Sequence, residues 1–378
     1  MTQISLFDGE EKLRITKPIR LIELFAGYGS QSLALKYLGV PFEHHKICEW
    51  AIPSIQAYKD LHATDDNTDY SKELTTEEVF EHLAKQGVSS NYNEPMTYDQ
   101  IKRLGDEKAR TIYNNIKATN NLVSVCNAHG KDFEITDRDK YCYVLTYSFP
   151  CQDLSKAGRG KGMAKDSGTR SGLLWEVERI LDELNAEGGN LPHILLMENV
   201  PDVIGTKNIS HFADWVKKLD SLGYTSKWQC MNAKNYGVPQ NRDRCFMVSW
   251  LGDFYYDFPQ PFKLKTRLKD VLETNVDEKY YLSSRALEGI KNSPFQSAQL
   301  EHRTEKDGVI PTLLARDYKD PKLVEEPFKD NYAVGPTIMT TGYYTPSKHN
   351  ASRVIDTNGI APTVMENHGT ITAIEERK

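Results

Sequence analysis

A predicted strand, a glycine-containing turn and a predicted helix follow one another near the start of the chain, and this succession constrains the fold most. Residues 20–25 are mostly apolar, Gly27 and Gly29 form a tight turn, and residues 30–38 have a helical pattern that ends at Gly39. Strand, glycine turn and helix make the first half of a βαβ unit. The sequence therefore predicts an α/β fold whose sheet begins with this strand.

An acidic residue at the end of the second predicted strand indicates what kind of ligand the turn binds. A second predicted strand, residues 42–48, ends at Glu49, which lies 20 residues after Gly29. Dinucleotide-binding folds place a ribose-binding acid at about this distance. Ser32 occupies the position of the third fingerprint glycine, so the dinucleotide pattern is incomplete. The spacing indicates a nucleoside cofactor, and a ligand without a pyrophosphate does not need that glycine.

Composition limits the class of protein. A chain of 378 residues can form one large domain or two. The six cysteines include no CxxC pair, which fits free thiols in a reducing cytoplasm. No apolar run approaches the roughly 20 residues of a membrane span. The net charge of −6 argues weakly against a nucleic acid partner, and no metal site is predicted.

Cys151 follows the apolar run of residues 141–149, and a loop rich in glycine and basic residues comes after it. The carboxyl edge of an open α/β sheet is where ligands bind. Cys151 is thus either a nucleophile or a buried cysteine that packs as a small hydrophobic residue. The loop carries Lys156, Arg159 and Lys161. It either closes over a polyanion or forms a solvated face.

The remaining pattern predicts the domain organisation. Residues 60–120 are polar and helical, with capping-box signals at Thr75 and Thr97. We predict that they form an inserted helical lobe and that the sheet resumes at residues 122–126. Beyond Asp253 a short Pro-Thr element recurs in residues 310–314, 335–339 and 361–365, which favours stacked β units over chance recurrence. The predicted domains are residues 1–252, including the lobe, and residues 253–378.

Four motifs in chain order identify a family resemblance. They are Phe25-Ala26-Gly27-Tyr28-Gly29, Pro150-Cys151-Gln152, Glu198-Asn199-Val200 and Gln240-x-Arg242-x-Arg244. In this order, across residues 19–250, they resemble the (cytosine-5) DNA methyltransferases. The resemblance implies a Rossmann-like S-adenosylmethionine-dependent methyltransferase domain with a smaller β-rich target-recognition domain. It implies methyl transfer to carbon 5 of cytosine in a specific double-stranded DNA sequence, as in restriction-modification.

The resemblance also implies the cofactor site. S-adenosyl-L-methionine is expected at the turn, with Glu49 on the ribose hydroxyls and Trp50 against the adenine. Asp132 is expected to accept from the adenine amino group. Ser30 stands where the family commonly has a further glycine. The full set of expected cofactor-binding residues is Phe25, Gly27, Gly29, Glu49, Trp50, Asp132 and Pro150.

By the same resemblance, Cys151 attacks carbon 6 of a flipped cytosine and Glu198 donates a proton to ring nitrogen 3. Arg244 matches the residue on the ring carbonyl oxygen, and Arg242 matches the same pocket or an adjoining phosphate. The loop of residues 152–170 is expected to close over the base. The expected substrate-binding residues are Gln152, Ser155, Lys156, Arg159, Lys161, Asn199 and Gln240.

One departure from the family pattern leaves alternatives open. After the recognition region the family has two further helical motifs that complete the cofactor pocket, and neither is found here. The expectation is a truncated or split member that binds a second polypeptide supplying them. The same motifs also fit a tRNA cytosine-5 methyltransferase, or a non-catalytic DNA-binding subunit.

Overall fold

The computed structural model describes residues 11–150, 170–267 and 270, and four short strands further on. The helices in these ranges are α1 (Ser30–Tyr37), α2 (Ile52–His62), α3 (Thr76–Gln86), α4 (Tyr98–Lys102), α5 (Asp106–Ala118), α6 (Leu174–Ala186) and α7 (Ile209–Ser221). The strands are β1 (Glu11–Lys12), β2 (Ile19–Leu24), β3 (Phe42–Cys48), β4 (Cys142–Tyr147), β5 (Ile194–Asn199), β6 (Tyr224–Asn232), β7 (Asp243–Leu251), β8 (Phe254–Tyr255), β9 (Lys322–Glu325), β10 (Thr340–Tyr343), β11 (Arg353–Asp356) and β12 (Thr372–Glu375).

Within the described residues, the main sheet has six strands in the order β3-β2-β4-β5-β7-β6. Strand β2 pairs in parallel with β3 and β4, β4 pairs in parallel with β5, and β7 runs antiparallel to β5. Strand β3, which follows β2 in the chain, lies on one side of β2, and β4 lies on the other side of β2. The strand order therefore reverses between β2 and β4, where open α/β sheets bind ligands. The predicted α/β fold is confirmed.

The hydrophobic core is built from strands β2, β4, β5 and β7 with helices α6 and α7. Strand β4 is buried along its whole length, as expected for a parallel strand covered on both faces. Trp215 of α7 is fully buried and donates its indole N–H to the Tyr147 hydroxyl at 3.0 Å. This packing fixes the end of β4, which leads to Pro150.

The segment of residues 60–120 contains α3, α4 and α5 and has its own hydrophobic cluster with α2. Both predicted capping boxes are present, Thr75 with Glu78 at α3 and Thr97 with Gln100 at α4.

The strand expected at residues 122–126 is wrong. Asn121 forms an isolated bridge with Ile47. Val123 then adopts a φ of 66°, which is incompatible with an extended strand.

The chain divides into two compact units. One comprises Met1–Cys230 and Arg244–Phe258, and the other comprises Met231–Asp243 and Pro259–Lys378. In the second unit β9 to β12 form a sheet in the order β10-β11-β9-β12. The three Pro-Thr elements lie outside the described residues, and the domain boundary at residue 252 stays a prediction. Over the described ranges, no helix combines the length and apolar character needed to cross a bilayer.

Candidate active site

The glycine turn at the end of β2 is backed by protein on one side and open on the other. Gly27 and Gly29 have φ values of 56° and 80°, which glycine adopts without steric cost. A Cβ at Gly29 would overlap Tyr58 and His62 of α2, whereas a Cβ at Gly27 would meet nothing within 4 Å. The open space at Gly27 fits a ligand that approaches the backbone closely.

Glu49 is hydrogen-bonded directly to the backbone of this turn. The side chain is 4% exposed, and its two oxygens accept from the Gly27 N–H at 2.8 Å and the Ala51 N–H at 2.7 Å. A carboxylate oxygen can accept more than one hydrogen bond, including one from a hydroxyl. The neighbouring Trp50 packs partly buried against the helical lobe. Glu49 therefore lies beside the turn and Trp50 follows it in the chain, and their roles toward a cofactor stay predictions.

Ser32, at the position of the third fingerprint glycine, has a structural role. Its hydroxyl is buried and donates to the carboxylate of Glu23, which also accepts from the Tyr58 hydroxyl at 2.6 Å. Burial raises the pKa of Glu23. This network was not predicted from the sequence, although an acid within the apolar strand before the turn was a visible signal.

Asp132 lies in a short 3-10 turn, Gly130–Phe133, that helix α6 holds in place. The Gly130 N–H donates to Glu183 at 2.7 Å. Arg179 binds Glu183 at 2.8 Å and donates to the carbonyls of Val125 and Ala128 at 3.0 and 2.9 Å.

The carboxylates of Asp132 and Glu49 both affect the pKa of the Cys48 thiol at the end of β3. Burial raises the pKa of Cys48, and the charges of Glu49 and Asp132 raise this pKa further. Both carboxylates are therefore within electrostatic range of the same thiol. The roles of both acids toward a cofactor stay predictions.

Asn199 connects the ends of β4 and β5. It is 2% exposed, donates to the Phe149 carbonyl at 3.0 Å and accepts from the Val200 N–H at 2.8 Å. Pro150 follows Phe149 directly, so the chain leading to Cys151 starts beside the strand that carries Glu198. The other predicted residues of this loop lie outside the described residues; they are Cys151, Gln152, Ser155, Lys156, Arg159 and Lys161.

Glu198 and Arg244 form an ion pair across β5 and β7. The Arg244 Nε lies 2.8 Å from Glu198 Oε1, and the side chains are 13% and 19% exposed, respectively. The register places Glu198 opposite Phe246, so both charged groups project at the same end of the sheet. An ion pair so placed presents a carboxyl group and a fixed positive charge at one edge of the sheet.

Gln240 and Arg242 belong to the second unit. The Gln240 N–H donates to Val238 at 2.7 Å, and the Arg242 N–H lies 3.3 Å from the Asn232 side-chain oxygen. The Arg242 carbonyl accepts from the Ala233 N–H at 3.0 Å. These bonds fix the backbone of the predicted Gln-x-Arg-x-Arg motif. The roles of both side chains stay predictions.

The described residues form an open α/β sheet with a glycine turn at the carboxyl end of β2. The family C-5 cytosine-specific DNA methylase matches residues 100–375. The chain is 39% identical over 274 residues to the orphan methyltransferase M.SssI of Spiroplasma monobiae, covering 71% of this chain and 68% of that protein.

A second relative and one solved structure are also similar to parts of the chain. The chain is 36% identical over 272 residues to the type II methyltransferase M2.ScrFI of Lactococcus lactis subsp. cremoris, covering 70% of this chain and 71% of the relative. The S. pombe Dnmt2 methyltransferase aligns with a TM-score of 0.44 and 16% identity, over 73% of this chain and 67% of that one. From the family match and the two relatives, the chain belongs to the C-5 cytosine-specific DNA methylase family, and the resemblance seen in the motifs is confirmed.

Proposed function

We propose that this enzyme transfers the methyl group of S-adenosylmethionine to carbon 5 of cytosine within a specific sequence of double-stranded DNA. The observation that carries the proposal is the Asn199 bridge. It ties the backbone before Pro150 and Cys151 to the strand end that bears Glu198. A nucleophile and a proton donor that start from neighbouring strand ends can reach one base from two sides.

The residues around the glycine turn fit the cofactor. Gly27 leaves room for close approach, Glu49 can accept from ribose hydroxyls, and Trp50 offers a flat face to the adenine. Phe25, Gly29, Asp132 and Pro150 complete the proposed cofactor site. When bound, S-adenosylmethionine supplies an electrophilic methyl group on a sulfonium.

Cysteine chemistry is needed because carbon 5 of cytosine is a poor nucleophile. The Cys151 thiolate adds to carbon 6 and forms a C–S bond, while the ring electrons move toward nitrogen 3. A protonated Glu198 carboxyl donates its proton there and becomes a carboxylate, which leaves a neutral enamine with a nucleophilic carbon 5. After methylation, loss of the carbon 5 proton to a base drives elimination, which breaks the C–S bond and frees Cys151.

Arg244 and Arg242 contribute positive charge to this step. We assign Arg244 to the carbonyl oxygen of the ring, where negative charge develops during the addition. Its ion pair with Glu198 supports that role, since the pair already holds the guanidinium beside the proposed proton donor. Arg242 is assigned to the same pocket or to an adjoining phosphate, with Gln240 beside it in the chain.

The target base must leave the stacked duplex before Cys151 can reach carbon 6. We assign closure over the flipped base to the loop that carries Lys156, Arg159 and Lys161, with Gln152 and Ser155 near the nucleic acid backbone. Residues 253–378 are assigned to sequence recognition, where base contacts determine specificity.

Label transfer tests the substrate assignment. The chain is incubated with tritiated S-adenosylmethionine and either duplex DNA of varied sequence or bulk tRNA, and the product nucleosides are separated. The proposal predicts label in DNA, recovered as 5-methylcytosine, and none with the Cys151→Ser variant. Label confined to tRNA would establish the RNA alternative, and no transfer to either substrate would favour a non-catalytic subunit.

A further inference from the structure

Asn121 binds the backbone of Glu49 on both sides. The asparagine is 6% exposed. Its side-chain oxygen accepts from the Glu49 N–H at 3.0 Å, and its side-chain nitrogen donates to the Glu49 carbonyl at 2.8 Å. The same oxygen accepts from the Val123 N–H at 2.8 Å. One buried amide therefore fixes the peptide groups that flank the Glu49 side chain.

The chain around Asn121 is held in an unfavourable conformation. Asn120 and Val123 have φ values of 49° and 66°, and a positive φ is costly for a β-branched residue. Leu122 N–H donates to the Ile47 carbonyl at 2.8 Å, which keeps this segment alongside the end of β3. Strain of this kind persists only where surrounding bonds over-determine it. Here the bonds of Asn121 end at Glu49, and the bond of Leu122 ends at Ile47, two residues before it.

The segment also connects the helical lobe to the glycine turn. Asn121 follows α5, the last helix of the lobe, and Glu49 accepts from the Gly27 N–H. Ser89 of the lobe donates to the Trp50 carbonyl at 2.7 Å and accepts from the Ile52 N–H at 2.9 Å. The lobe thus forms backbone hydrogen bonds with the residues on either side of Ala51.

We propose that Asn121 is a positioning residue for S-adenosylmethionine, acting by holding Glu49 at the angle at which its carboxylate meets the ribose hydroxyls. The inference rests on the proposed role of Glu49. It assigns the inserted lobe a part in cofactor affinity, because the lobe and Asn121 together determine where Glu49 lies.

Binding calorimetry with S-adenosylhomocysteine tests the inference without any turnover. Asn115→Ala is the matched control, because Asn115 is also a buried asparagine of the lobe, 7% exposed, but its side chain donates to Gln56. We expect Asn121→Ala and Asn115→Ala to lower the melting temperature similarly. Asn121→Ala alone should weaken binding, on the order of tenfold or more, because a small misplacement of a binding group has a large effect.

Asn121→Asp supplies a readout that a merely structural role would not move. A protonated aspartic acid has the shape and the donor of the amide, whereas an aspartate presents only acceptors to the Glu49 carbonyl. Affinity of this variant, relative to wild type at each pH, should therefore rise as the pH falls. A constant ratio across the pH range would contradict the proposal, even if Asn121→Ala does not fold.

The Glu49→Gln variant distinguishes a failure of the proposed Asn121 role from a failure of the proposed cofactor role of Glu49. If Glu49→Gln weakens binding but Asn121→Ala behaves as Asn115→Ala does, the role of Asn121 is wrong and the cofactor site stands. If Glu49→Gln binds as tightly as wild type, the assignment of Glu49 fails and the inference fails with it.

Discussion

Glu198 and Arg244 hold each other at the ends of neighbouring strands, and both are mostly shielded from water. Removing one member of such a pair leaves a charge without its partner. Because the proposed role of Glu198 is proton transfer, its effect should appear in the rate of the chemical step. Single-turnover methylation and DNA affinity measure the two effects separately.

Glu198→Gln retains a hydrogen-bond donor near ring nitrogen 3 but cannot transfer a proton. We expect single-turnover methylation to slow on the order of 10²-fold or more, with a smaller change in DNA affinity. Asp182→Asn is the control, since Asp182 pairs with Lys218 at 2.6 Å between α6 and α7. If Glu198→Gln binds DNA poorly yet turns over normally, Glu198 is structural.

At this scale the sequence identified residues at strand ends better than the contacts that hold them. Glu49 directly follows the predicted strand of residues 42–48, and the motif residues Glu198 and Arg244 lie near the end of β5 and the start of β7. Asn121 was missed because its bonds to Glu49 span 72 residues of chain. A side chain that bonds a distant backbone leaves no periodic pattern, so no local reading of the sequence reveals it.

At the scale of elements, β4 and β5 are joined at their beginnings by a histidine that must be neutral. The Nδ1 of His193 accepts from the Tyr143 N–H at 3.0 Å. Burial lowers the pKa of His193 to about 4 from the usual 6.5. His44, next to α2, is lowered to about 4 in the same way.

These shifts determine the sign of the pH dependence. Between pH 6.5 and about 4 the unfolded chain binds more protons than the folded chain. Stability should therefore be greatest above pH 6.5 and fall as the pH is lowered through that window. In His193→Asn, whose side-chain oxygen can replace Nδ1 as acceptor, denaturant unfolding should depend less steeply on pH. An equally steep dependence would exclude His193 as a contributor.

Elements were predictable where a local signal determines them. The capping boxes at Thr75 and Thr97 located two helix starts, and the glycine turn located the first βα unit. The strand predicted at residues 122–126 failed because a side chain, Asn121, takes the N–H of Val123 and turns the backbone away from the extended form.

For the whole molecule, the net charge of −6 makes the location of basic residues decisive for binding DNA. We expect the combined change of Lys156, Arg159 and Lys161 to alanine to weaken DNA binding and to flatten its salt dependence. Each lost phosphate contact should change the slope of log K against log salt by roughly 0.9.

Fluorescence anisotropy across a salt series measures that slope. A matched control replaces Lys72, Lys85 and Lys102 of the helical lobe with alanine, which makes the same change in net charge at a different place. The account predicts a wild-type slope for this control. A slope left unchanged by the loop variant would show that the loop is only a solvated face.

The most direct test of the central claim is whether Cys151 forms a covalent bond with the target base. Duplex DNA with 5-fluorocytosine in the methylated sequence is incubated with the chain and S-adenosylmethionine, and peptides from the denatured complex are identified by mass spectrometry. Fluorine at carbon 5 cannot leave as a proton does, so elimination is blocked. The account predicts a stable adduct that maps to Cys151 and is absent from Cys151→Ser. Methylation of ordinary DNA without any adduct, or an adduct on another residue, would contradict it.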